Sequence, residues 1–163
     1  MKIKHWKDIN WTKIELEVYD LQRQIYISSV NVDPQKRARL RRYQKELVES
    51  QNAKLIAIRR ITQDNRGKNT PGVDGKKFLA TMERIELLNK LQLDGSADPI
   101  RRVFISKSNG KQRPLGIPTI KDRIKQCLVL MALEPEWEAK FEINSYGFRP
   151  AYSTADAKWA ITR

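Results

Sequence analysis

The chain has 163 residues, 32 of them Lys or Arg and 19 Asp or Glu, for a net charge of +13 and an isoelectric point near 10.0. With 40% hydrophobic residues it can pack a core, and its basic excess points to a polyanion, nucleic acid first and an anionic membrane as the rival. A single histidine, His5, and a single cysteine, Cys127, exclude an internal disulfide, a His-rich zinc site and a Ser-His-Asp set. No apolar run reaches the ~18 residues needed to cross a bilayer, and the start MKIKHWKDINW lacks the apolar stretch of a secretory signal.

The first helix is expected from about Thr12 to Ser28. Thr12 and Glu15 have capping-box spacing, and Ile14, Val18, Leu21 and Ile25 share one face. Asn31 to Asp33 break it, and Asp33-Pro34 reads as the cap and first residue of a long second helix. Leu40, Leu47 and Leu55 form that helix's expected buried stripe. Its segment KRARLRRYQK holds six bases and no acid, which favours a phosphate-binding face over an ordinary solvated one.

TQDNRGKNTPGVDG, residues 62 to 75, is a loop by composition. Its GKN does not satisfy the phosphate-loop pattern: threonine stands where the first glycine is required, and Asn69 follows Lys68. Lys76 to Leu93 is expected to be helical, with Phe78, Met82 and Ile85 on one side. RRVFIS and RPLGI flank Asn109-Gly110, a short-range hairpin signal. Ile120 to Phe141 reads as helix, with Ile124, Cys127, Leu128 and Met131 facing a core; Pro135 either kinks it or starts a second helix. Glu134, Glu136, Glu138 and Glu142 read as a solvated face. Ser153 and Asp156 have capping-box spacing for a last short helix. The fold class is α+β, mostly helical, with one basic β-hairpin.

From Arg101 to Lys125 there are eight bases and one acid, Asp122. Lys107, Lys111 and Arg113 cluster at the expected turn. A triphosphate or a nucleic-acid backbone suits them, because charge-assisted bonds to phosphate are strong and Arg can form two at once. Their convergence depends on the turn. A two-residue Asn109-Gly110 loop pairs Lys107 with Gln112 and sends Lys107 and Arg113 to opposite faces. A three-residue loop with Gly110 left-handed pairs Lys107 with Lys111 and brings all three bases onto the face of Val103, Ile105 and Leu115. Function favours the second.

RRVFISKSNGKQRPLGIPTIKDRIKQ, then LEPEWEAKF, then SYGFRP, with NRGKNTPGVDG, DINW and LQRQIYISS upstream, resembles the N-terminal part of group II intron reverse transcriptases, or intron maturases. The resemblance covers nearly the whole chain. It implies the fingers part of a right-hand polymerase fold. Residues 1–62 would be a basic helical, RNA-binding N-terminal extension. Residues 63–163 would be the fingers, with a lid-like loop at 63–75 and the hairpin at 101–118.

The resemblance further implies a mobile-element protein that copies RNA into DNA and binds its own intron RNA to assist splicing. Lys107 and Arg113, with Lys111 beside them, would bind the incoming nucleotide's phosphates. Tyr146, Phe148 and Arg149 would lie near template and nucleotide. Lys36, Arg37, Arg39, Arg41, Arg42, Lys45, Arg66 and Lys68 would contact RNA. The implied partners are intron RNA, an RNA template with DNA primer, deoxynucleotides and the remaining polymerase domains, with no membrane. The implied location is the bacterial cytoplasm or an organelle, within a ribonucleoprotein.

Three positions depart from the family pattern: Ser106 replaces a proline, Ala151-Tyr152 a Gly-Arg, and Ala155 a histidine. Two-metal nucleotidyl transfer needs clustered carboxylates. The family draws them from a Phe-Asp and a Tyr-x-Asp-Asp motif, and neither occurs in these 163 residues. No catalytic or metal-ligating residue is therefore assigned, and Mg2+ is expected in the complete enzyme and not on this segment. The alternative is a non-catalytic RNA-binding splicing cofactor.

Overall fold

A computed structural model describes residues 5–30, 33–77 and 79–162. Helix α1 runs Trp11–Ser29 and starts earlier than expected, because Asn10, not Thr12, caps it by accepting from the Lys13 amide at 3.1 Å. Glu15 instead pairs with Arg59 at 3.1 Å. Ile14, Val18 and Ile25 are buried along one face, as their spacing requires. Of the expected break, Asn31 and Val32 lie outside the described residues.

Asp33 caps α2 (Pro34–Glu49) through the Lys36 amide at 2.8 Å, with Pro34 in the first turn. The expected long helix is two helices. Ser50 leaves helical conformation, and its hydroxyl accepts from the Asn52 and Ala53 amides, opening α3 (Gln51–Arg59). Leu40 and Leu47 are buried in α2, whereas Leu55 belongs to α3, where Leu55, Ile56, Ala57 and Ile58 are all buried. A wide π turn over Arg60–Asp64 then closes with the Asn65 amide on the Arg60 carbonyl at 2.8 Å.

Helix α4 is shorter than expected, Thr81–Lys90, because the Glu83 carboxylate captures the Ala80 amide at 2.7 Å and starts the helix there. Its inner face is Arg84, Leu88 and the half-buried Ile85; Met82 is exposed and Phe78 lies outside the described residues. Strands β1 (Arg101–Ser106) and β2 (Gln112–Ile117) form an antiparallel hairpin.

Helix α5 (Ile120–Glu138) is capped by Thr119, which accepts from the Asp122 amide at 3.2 Å. Pro135 lies within it and starts no new helix. A proline has no N–H, so the Met131 carbonyl one turn back loses its usual donor. The Gln22 amide of α1 fills that place at 3.0 Å, and the Gln44 amide of α2 donates to the neighbouring Ala132 carbonyl at 3.2 Å. Ile124, Cys127, Leu128 and Met131 are buried as expected. Burial raises the Cys127 thiol pKa, with Arg60 opposing. A final helix, α6 (Thr154–Ile161), begins at Ser153, whose amide donates to Asp156 at 2.7 Å.

One apolar core joins α1, α2 and α3 to α5: Ile25, Leu47, Leu55, Ile58, Ile124 and Leu128 are all fully buried in it. Each such side chain contributes ~1.5–3 kcal/mol relative to exposure. That core fixes where the basic helix and the hairpin stand. Among the described residues no helix is long and apolar enough to cross a membrane.

Candidate nucleic-acid interface

The hairpin turn has three residues. The Lys107 amide donates to the Lys111 carbonyl at 2.8 Å, and the Gly110 amide to the Lys107 carbonyl at 3.0 Å. Gly110 has φ +74°, the left-handed conformation that closes this bulged turn, and Asn109 braces it by accepting from the Lys111 amide at 3.1 Å. Ser106 pairs with Gln112 and Ile105 with Arg113. Arg113 thus shares a face with Lys107 and Lys111, and with Ile105, Val103 and Leu115. Val103 and Leu115 are half-buried while all three bases are exposed, so the cations sit beyond an apolar root.

Of the eight bases between Arg101 and Lys125, two are committed to the scaffold. Lys125 is buried and donates to Asp94 at 2.7 Å and to the Ser96 carbonyl at 2.8 Å. Through that bond, and with help from Ser96, Lys125 holds the Asp94 carboxyl well below the usual carboxylate range. Buried Asp122 accepts from the Asp98 amide at 3.0 Å and the Thr119 hydroxyl at 2.8 Å. Together they hold the stretch entering β1 against α5. Arg123 ties down the loop at 65–75, donating to the Gly67 carbonyl at 3.0 Å, the Pro118 carbonyl at 3.0 Å and the Thr70 carbonyl. Burial lowers the Arg123 pKa, against the opposing charge of Asp74. Gly72 completes the seat: a Cβ there would lie 2.7 Å from the Thr119 Cα. Within this loop Arg66 is exposed, and the Lys68 ammonium turns back to the Gln63 carbonyl at 2.6 Å.

Arg149 is drawn inward. Its guanidinium forks onto Glu138 with 3.2 Å contacts to both oxygens and reaches the Ser145 carbonyl at 2.7 Å and the Glu142 carbonyl at 3.2 Å. It also lies 4.4 Å from the Tyr152 ring centre. The bond to Glu138 raises its pKa. Tyr146 is half-buried and meets Tyr152 edge-on at 5.7 Å. Phe148 is fully exposed with φ 61°, and Ala151 has φ 62°. Two non-glycine residues in left-handed conformation mark a strained loop that the Arg149 contacts hold in shape. Glu138 is thus an ion-pair partner, and Glu136 accepts from Gln44 at 2.7 Å and from Lys140; two of the four carboxylates expected on a solvated face are internally paired, while Glu142 is exposed. Arg149 lies eleven positions beyond Glu138, and no local spacing signals that pairing.

On α2, Arg37, Arg39, Arg41, Arg42 and Lys45 are exposed and fan across its solvent side. Lys36 is half-buried and donates to the Val30 carbonyl at 3.4 Å. One flank of the α1–α2 pair carries the opposite charge: Glu17, Asp20, Glu46 and Glu49 line a cleft of about 630 Å³. A polyanion approaching α2 is therefore steered to its N-terminal and central turns, away from that cleft.

Residues 6–91 match the family model described as the N-terminal domain of reverse transcriptase. A maturase-like protein 1 of Euglena gracilis is 32% identical over 162 residues, 96% of this chain and 35% of that protein. Group II intron-encoded protein LtrA of Lactococcus lactis subsp. cremoris is 39% identical over 103 residues, 61% of this chain and 17% of the relative. The chain belongs to the group II intron reverse transcriptase–maturase family, in its N-terminal region. Protein YkfC of Escherichia coli (strain K12) is 51% identical over 109 residues, 63% of this chain and 29% of the relative. This reverse transcriptase–maturase region thus spans about a third or less of the length of these relatives.

Proposed function

We propose that the chain forms the N-terminal extension and fingers of a group II intron-encoded reverse transcriptase–maturase with a right-hand polymerase fold. In this reading α2 grips intron RNA through its phosphates. The hairpin offers Lys107, Lys111 and Arg113 to the triphosphate of an incoming deoxynucleotide. The exposed Phe148 and the neighbouring Tyr146 border the template. The observation that carries the reading is the hairpin register, which brings the three bases to one face beyond an apolar root. Mg2+, held by carboxylates from other parts of the complete enzyme, would neutralise charge on the reacting phosphates.

A splicing cofactor without polymerase function would use the same basic helix. The inward commitment of Arg149 favours it for one loop only, since that guanidinium is engaged by Glu138 and two carbonyls.

Two titrations test the reading. In the first, a labelled deoxynucleoside triphosphate is titrated into the chain and competed with tripolyphosphate. Lys107→Ala with Arg113→Ala should abolish saturable binding and leave RNA affinity intact; binding indifferent to that pair refutes the hairpin's role. In the second, RNA affinity is followed against salt. Replacing Arg39, Arg42 and Lys45 by glutamine should make the log–log slope shallower by about 2–3. An unchanged slope refutes the role of α2.

A further inference from the structure

A notch opens between α2 and the end of α5. It is lined by Arg37, Leu40, Arg41 and Gln44 from α2, by Glu136 from the last turn of α5 and by Lys140 just beyond that helix, and it encloses about 320 Å³. That lies at the small end of the ligand-pocket range, about 300–1,000 Å³. Three cations from two separate elements converge on it, against one carboxylate. Glu136 is occupied: it accepts from Gln44 at 2.7 Å and pairs with Lys140, so it positions the lysine and leaves the notch a net cationic mouth. The same ammonium stands 5.1 Å from the ring centre of Trp137, which is 52% exposed. An exposed indole therefore borders the notch through Lys140.

A concavity at the small end of the ligand range, two guanidinium groups and an adjacent half-exposed indole, one side of which faces Lys140, make a combination that suits one nucleotide. Arg37 and Arg41 can each bind phosphate oxygens bidentately. A base can stack on Trp137 only if it is free of its own helix, because a duplex keeps its π faces covered. A bilayer would need a flat or convex amphipathic face, and this surface is concave.

We propose that this notch holds a single unpaired nucleotide of RNA, its phosphate against Arg37, Arg41 and Lys140 and its base on Trp137. The inference rests on the RNA-binding reading of α2 and adds to it a preference for single-stranded or bulged RNA. It also assigns roles to Trp137 and Lys140, which lie outside the basic run of α2.

The test compares a 12-nucleotide oligouridylate with a 12-base-pair RNA duplex, both titrated into the 163-residue chain at fixed low salt. Trp137→Leu keeps the apolar bulk and removes the stacking face. It should weaken oligouridylate binding about tenfold and leave duplex binding unchanged. Arg41→Gln, at an exposed position of α2, should weaken the oligomer more than the duplex. Equal losses for both RNAs, or no loss with Trp137→Leu, overturn the notch while leaving RNA binding by α2 in place. If the wild-type chain binds neither RNA, or prefers phosphatidylserine vesicles to the oligomer, the RNA reading itself falls and the notch with it.

Discussion

Gly110 shows how a single backbone angle decides a binding surface. Its φ of +74° closes a three-residue turn and so puts Lys107, Lys111 and Arg113 on one face. No atom lies within 4 Å of where its Cβ would stand, so Gly110→Ala meets no clash and costs only backbone strain. That strain is ~1 kcal/mol. We expect faster hydrogen exchange at the amides of Lys107 and position 110 in Gly110→Ala, with the helical amides unchanged. Asp94 supplies a second test at this scale. Its carboxyl is held well below the usual range by Lys125, so the folded state favours the ionised form. The contribution is complete above the unfolded carboxylate value of ~4 and is lost as pH falls through the lower folded value. Asp94→Asn should therefore be less stable than wild type at pH 7. Denaturant melts at decreasing pH should show the gap narrowing only below about pH 4; a gap independent of pH would show that Lys125 draws nothing from the charge.

At the scale of elements, α5 carries a proline in its last turns because a neighbouring helix supplies the donor that the proline withholds. Gln22 of α1 donates to the Met131 carbonyl that Pro135 leaves without its helical partner. Gln22→Leu should destabilise the fold by ~1–2 kcal/mol, the cost of stranding a part-buried acceptor. In the Pro135→Ala background the restored amide takes over, and the same substitution should cost almost nothing. Additive losses in that double-mutant cycle would disprove the substitution of donors. The basic helix α2 makes a different kind of prediction. With five exposed cations engaged, RNA affinity should fall with salt at a log–log slope of about −4. A slope near zero would mean that the RNA does not run along it.

For the molecule as a whole, charge is segregated more sharply than the +13 total conveys. An acidic cleft lies between α1 and α2, its Glu49 3.9 Å from Lys45 of the cationic helix, and two central bases, Arg123 and Lys125, are fastened inside the scaffold. The chain as given should not extend a primer: with template-primer, Mg2+ and deoxynucleotides, product above a mock-purified control is not expected, because neither aspartate motif occurs in the sequence.

What the sequence by itself determined is local or periodic. Asp33-Pro34 announces the start of α2, Ser153 and Asp156 the start of α6, and the spacing of Ile124, Leu128 and Met131 the inner face of α5. The six bases of KRARLRRYQK identify the cationic helix, and the motif order identifies the family. Each of these is written within a few residues, where backbone preference and helical period act directly. The tertiary structure decided the rest. One exception is local: the Ser50 hydroxyl accepts from amides two and three residues on and splits one apparent helix into two, a break hidden by the apolar stripe that runs through it. The choice of a three-residue turn over a two-residue one lay open locally, where Asn-Gly supports either. Arg149 met Glu138, and Lys125 met Asp94, across sequence gaps that no periodicity spans. Whether a cation points to solvent or into the scaffold depends on which carboxylate or carbonyl the folded chain brings beside it, and that partner is set only when the helices pack.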